Sequence, residues 1–230
     1  MKVPLHYQLS EYDCGPTTLL NAVSYLFARE EIPPEIIRNV MLYSLDCYSR
    51  EGAGRAGTSR MAMMFLANWL DGFGRATDLP LSTQYLAGKS VYIGQQSQIN
   101  DALHRGGVAV VRLIYEVEHY VLLTGDKDGH IYMFDPWYLP ENSDEFAGQD
   151  ITITLDHLTQ YNRIVPYACF NQSSRVSDYS LGPVAEREAV LLFNEHTKLR
   201  AQDTIEYFIS VKNVRTFSVM LVQVLPDGRN

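Results

Sequence analysis

Cys14 stands in Asp13-Cys14-Gly15-Pro16, immediately ahead of an apolar stretch with helical spacing. A thiol in that place can act as a nucleophile, because a helix N-terminus carries partial positive charge and favours thiolate over thiol. Gly15 would let the backbone pass close to a substrate carbonyl, and the Cys14 N–H could point at a developing oxyanion. Gln8, six residues upstream, offers its side-chain amide as a second oxyanion donor. A thiolate also needs an imidazole. His119 opens the run His119-Tyr120-Val121-Leu122-Leu123, and Asp135 closes Tyr132-Met133-Phe134-Asp135. The turn residues Asp126-Lys127-Asp128-Gly129 lie between them, with the midpoint on Lys127. A hairpin folded there would set His119 directly opposite Asp135, where a carboxylate can orient the ring. Nucleophile, base and orienter together are the logic of acyl-transfer enzymes.

Singly, each residue has a plainer reading. Cysteine at the start of an apolar helix packs in cores, a strand histidine can be a satisfied core residue, and Asp before Pro136 ends a strand. The ordered set is what raises all of them. Cys47 and Cys169 have aromatic neighbours and no partner motif, so core packing is expected of both. Three widely spaced cysteines make neither a disulfide framework nor a zinc-finger spacing, which points to a free thiol and a reducing, cytoplasmic compartment. His6, His104, His130, His157 and His196 show no ligand spacing. Cys14, His119 and Asp135 could ligate zinc, but they fit a nucleophilic set better, and no metal or cofactor is expected. Asp126 to Gly129 lacks the later ligands of a calcium loop. Trp137 and Tyr138 could equally wall a peptide cleft or lid the core.

The positioning elements follow from hydrophobic spacing. Leu19, Leu20, Val23, Leu26 and Phe27 form one stripe, so a helix is expected over 16–28 with Asp13 as N-cap. A second helix fits 35–44. A third, capped by Thr58 or Ser59 after the glycine-rich loop 51–57, runs to about Leu70; a fourth covers 97–104. Strands are expected over 108–115, 119–124, 131–134 and 151–154, and 155–161 reads as a short helix or turn. Helices first and antiparallel strands later give an α+β fold. Residues 171–182 read as a linker or surface crossing. Of the late apolar runs, 217–225 reads as a strand, while 189–193 and 207–211 stay open between helix and strand.

The chain has 230 residues, 46% hydrophobic and 20% charged, with 27 acidic against 19 basic side chains and a net charge of −8. That composition supports a packed core. No Lys/Arg cluster suggests nucleic acid. The longest nearly apolar stretch, 61–70, is too short to span a bilayer, and the first residues lack a signal-peptide apolar region. With no segment ahead of the site, zymogen cleavage at that end is not expected. The sequence does not fix an oligomeric state.

Gln8 to Thr17 resembles the catalytic opening of the papain-like bacteriocin-processing peptidases, which cut leader peptides after a double glycine. His119-Tyr120-Val121 and Phe134-Asp135-Pro136 are similar to that family's later catalytic blocks. Gly57-Thr58-Ser59 with Trp69-Leu70-Asp71-Gly72 resembles its intervening segment. The resemblance covers roughly 1–140. It implies a papain-like cysteine peptidase domain over 1–170, with helices packed on an antiparallel sheet and an extension, 171–230, packed on the core. It implies Cys14 as nucleophile, His119 as base and acid, Asp135 as orienter, Gln8 as oxyanion donor and a peptide or protein as substrate. Two alternatives use the same scaffold: an acyltransferase or amide-forming thiol enzyme, and a non-catalytic peptide-binding module.

Overall fold

The computed structural model describes residues 2–199, and every element below belongs to the unit Met1–Lys198. Helix α1 (Cys14–Leu26) begins earlier than its apolar stripe, with Pro16 in the first turn where a missing N–H costs nothing. Asp13 precedes it, but its carboxylate makes no cap bond to the helix. Helix α2 (Pro34–Tyr43) starts on its proline. A short hairpin, β1 (Tyr48–Ser49) and β2 (Gly52–Ala53), leads to α3 (Arg60–Ala76), where Ser59 Oγ accepts from Ala62 N. Helix α3 runs past its expected end at Leu70. Gly74 sits inside it because a Cβ there would stand 1.9 Å from the Leu81 carbonyl oxygen of the following strand.

That strand, β3 (Leu81–Ala87), was not legible as one, since only Leu81 and Leu86 are buried along it. Helix α4 (Gln98–His104) is capped by Ser97 Oγ, which accepts from Ile99 N and Asn100 N. Then come β4 (Val108–Tyr115), β5 (Val117–Lys127), β6 (His130–Phe134), β7 (Thr152–Ile153), β8 (Arg163–Pro166), the short α5 (Tyr167–Phe170) and β9 (Glu188–Asn194). Strand β8 was also unforeseen: it is four residues long, buries an arginine and ends on proline. The stretch 155–161 forms turns. The run at 189–193 is a strand; those at 207–211 and 217–225 lie outside the described residues.

The seven-stranded sheet has the order β3-β9-β4-β5-β6-β8-β7 and is antiparallel throughout. The protein is thus a mixture of helices and antiparallel sheet. Strand β9, from the stretch expected to pack on the core, pairs with β3 on one side and β4 on the other. On one face, Val108, Val110, Leu122 and Val190 pack against Leu19 and Val23 of α1 and Leu66 of α3. On the other, Val111, Leu113, Val121 and Leu123 pack against Ile99 and Leu103 of α4. Burial on both faces explains why β4 reads as an unbroken apolar run; each fully buried side chain of this size contributes about 1.5–3 kcal/mol. The segment 171–182 is irregular, but it is not a surface crossing. Tyr179, Ser180 and Leu181 are buried, and Ser180 forms a bridge to Ile114 of β4.

Candidate functional site

The loop ahead of α1 is shaped by Asp13. Its carboxylate accepts from the backbone N–H of Leu9 at 2.9 Å and of Ser10 at 2.6 Å, with Thr17 Oγ1 adding a third donor. Burial pushes this carboxyl up, but the bonds from Ser10, Leu9 and Thr17 outweigh it and hold it below the usual range. The expected N-cap therefore folds the preceding loop and leaves the first-turn N–H groups of α1 uncapped by its side chain. Gln8, on that loop, donates from its backbone N–H to Pro136 O at 2.9 Å. Its Nε2 donates to Ser10 O, while its Oε1 is buried without a partner. Tyr7, next to it, packs against Phe134 and Tyr138. The N-terminal strip is in this way laid along the end of the β5–β6 hairpin.

Cys14, the first residue of α1, is 6% exposed. Gly15 has a packing reason: a Cβ there would lie 2.8 Å from Thr58 Cβ, so the loop before α3 can close on the helix start only over glycine.

His119, 6% exposed on β5, directs Nε2 at Asp135 Oδ1 across 2.7 Å, which leaves Nδ1 as the other ring nitrogen. The expected register does not occur. Leu122 pairs with Phe134 and Leu123 with Met133, then a bulge shifts the pairing to Gly125 with Tyr132. Asp135 therefore lies just past β6, not directly across from His119, and the side chains bridge the offset. What holds Asp135 is a set of contacts from outside the hairpin. Its N–H donates to Asn162 Oδ1 and its carbonyl accepts from Asn162 Nδ2, both at 2.8 Å. Oδ1 also accepts from Trp137 N at 2.8 Å, and Oδ2 from the Tyr179 hydroxyl at 2.8 Å.

The electrostatics follow from burial and pairing. Burial alone would push the His119 imidazolium down. The charge and hydrogen bond of Asp135, with a further bond from the Cys14 thiol, outweigh it and raise His119 to about 10. Asp135 is fully buried, which would raise it, yet His119, then Arg163 and Trp137 N–H, hold it below the carboxylate range.

Cys14, His119 and Gln8 share a cleft of about 910 Å³, with Asp135 behind the histidine. Tyr12, Tyr115, Val117, Trp137 and Leu139 give it apolar lining, and Glu11, Glu116, Glu118 and Glu145 its charge. Trp137 walls this cleft, and Tyr138 lines a smaller one beside Gln8. Cys47 and Cys169, expected as core residues, are free and half-exposed. Burial and then Asp46 push the Cys47 thiol up; burial and then Asp178 push that of Cys169 up. Among the described residues no group of three or more His, Cys, Asp or Glu side chains is disposed to hold a metal ion. No described helix is long and apolar enough to cross a membrane.

Sequence reasoning missed Asn162 and Tyr179, which lie 27 and 44 residues from Asp135 and carry no local signal. No protein-family model and no curated protein matches the chain. Among solved structures the chain is similar to the crystal structure of a double glycine motif protease from an AMS/PCAT transporter in complex with the leader peptide. The two are 16% identical with a TM-score of 0.40, over 84% of this chain and 90% of that one.

Proposed function

We propose that the protein is a papain-like cysteine peptidase acting through Cys14, His119 and Asp135. One observation carries the reading: a cysteine at the mouth of a helix and a buried His–Asp pair open onto the same cleft. The Cys14 thiolate, paired with the His119 imidazolium, adds to a peptide carbonyl. The Cys14 N–H and the Gln8 amide donate to the oxyanion, which requires Gln8 Nε2 to turn a proton from Ser10 O towards substrate. His119 then protonates the leaving amine. Water, deprotonated by the same ring, hydrolyses the thioester, and the proton returns to His119. Asp135 keeps the ring in the tautomer and orientation that both steps use.

The substrate is a peptide or protein segment, with cleavage after Gly-Gly as the form the sequence resemblance implies. The glutamates around the cleft favour segments carrying cationic side chains beside the scissile bond. The test is turnover of Gly-Gly peptides by wild type and Cys14→Ala, together with alkylation by iodoacetamide. Cys14-dependent cleavage and labelling of Cys14 ahead of Cys47 and Cys169 are expected. Cleavage that survives Cys14→Ala, or a Cys14 no more reactive than the other two thiols, overturns the reading.

A further inference from the structure

Tyr179 is fully buried and belongs to no helix or strand. Its backbone takes φ of 59°, a left-handed conformation that is an outlier for a bulky side chain. Hydrogen bonds on both sides hold it there: Tyr179 N donates to Ile114 O at 2.8 Å, and Ile114 N to Ser180 O at 2.7 Å. The ring is stacked on Tyr115 with centroids 5.3 Å apart and lies against Phe146 at the same separation. A phenylalanine would fill that slot equally well. The hydroxyl alone has a polar task, and it spends it on Asp135 Oδ2.

We infer that Tyr179 is a positioning residue for the His119–Asp135 pair, tethering the second carboxylate oxygen so that the first stays on His119 Nε2. Oδ1 already serves two donors, His119 and Trp137 N–H. Without a donor on Oδ2 the carboxylate can rotate about its own bond and surrender the histidine. The charged and titratable groups facing Asp135 are His119 from β5, Arg163 from β8, Tyr115 from β4 and Tyr179 itself. Of these, Tyr179 alone binds Oδ2 by a neutral O–H. The consequence for turnover rests on the peptidase reading; the tether itself does not.

The decisive variant is Tyr179→Phe, which keeps the ring and the backbone and removes one oxygen. Expected are a fall in kcat of about tenfold at unchanged KM, typical of an outer partner of a functional histidine, and a fall in the His119 protonation midpoint read by imidazole 15N NMR. A His119 midpoint that is unchanged or raised overturns the tether. If wild type cleaves no peptide but the midpoint falls in Tyr179→Phe, the tether stands and the peptidase reading fails. If wild type cleaves and the variant matches it in both kcat and midpoint, the tether fails alone. A second measurement leaves residue 179 untouched and keeps the test open should the variant not fold. The Tyr179 hydroxyl proton of wild type is expected as a downfield, slowly exchanging signal that moves upfield in Asp135→Asn. A signal indifferent to that substitution overturns the tether as well.

Discussion

The molecule contains a second His–Asp pair built almost like the first. His119 Nε2 meets Asp135 Oδ1 at 2.7 Å, and His104 Nε2 meets Asp126 Oδ1 at 2.5 Å. Each carboxylate accepts a tyrosine hydroxyl on its other oxygen at 2.8 Å, from Tyr179 in one case and Tyr167 in the other. Both aspartates even belong to the same hairpin region, one at the end of β5 and one just after β6. The surroundings differ. Asp126 also accepts from Asn100 of α4, so its cluster fastens α4 and α5 to the hairpin. Its histidine closes the last turn of α4, with no thiol hydrogen-bonded to it, and it is absent from the lining of the large cleft. His119 has a thiol beside it and open space in front. A hydrogen-bonded His–Asp–Tyr chain is therefore a structural device that the fold uses twice, and only one copy has a nucleophile to serve.

The comparison breaks most easily at the histidines. His119→Ala should lower kcat by about 10²–10⁴-fold, while His104→Ala should leave it within about twofold and lower thermal stability instead. Equal losses of turnover in the two would dissolve the distinction. Asp135→Asn is expected to cost about 10²-fold in kcat through a wrongly held ring. Asp126→Asn should act on the melting temperature alone, as a scan of both variants beside their activities would show.

Proton linkage separates the pairs further. Folded His119 holds its proton to about 10, above its ordinary value of about 6.5. Its contribution to stability is therefore fully present below about pH 6.5 and is lost as pH rises through about 10. Asp135 is shifted downward, so its contribution is present above the ordinary carboxylate range and fades as pH falls through its folded value. Denaturant melts across pH should show the stability gap between wild type and His119→Ala shrinking between about pH 6.5 and 10. A gap that is flat over that range contradicts the assignment. The smallest expected effect is that of Tyr167→Phe. It should cost about 0.5–1.5 kcal/mol of stability, read as a shift of a few degrees in Tm, with no change in turnover.

Much of this was legible in the chain. Residues 14, 119 and 135 could be placed by a helix stripe, a β-branched run and a turn, because such signals are local and strong. Those same signals yielded α1 to α4 and the strands β4 to β6. Three kinds of information were not local. The bulge after Leu123 is a one-residue offset that no turn composition announces, and it moved Asp135 out of direct opposition. The Asp13 carboxylate had two sets of backbone donors within reach, the helix and the loop, and only the folded loop decides between them. Strands β3 and β8 and the buried Tyr179 acquire their environment from segments far away in sequence, so their own residues look like loop.

Strand β9 has a consequence in time. It is the last strand described, yet it fills the gap between β3 and β4. During synthesis β3 must wait for β9 while on the order of 100 further residues are added, roughly 5–20 s at about 5–20 residues per second. Over that interval the hydrogen-bonding edges of β3 and β4 have no native neighbour, and the sheet can only close late, through contacts of long sequence separation. The helices can pack early around Cys14, but the nascent chain spends those seconds with an open seam, when a foreign strand competes best for the place that β9 will take.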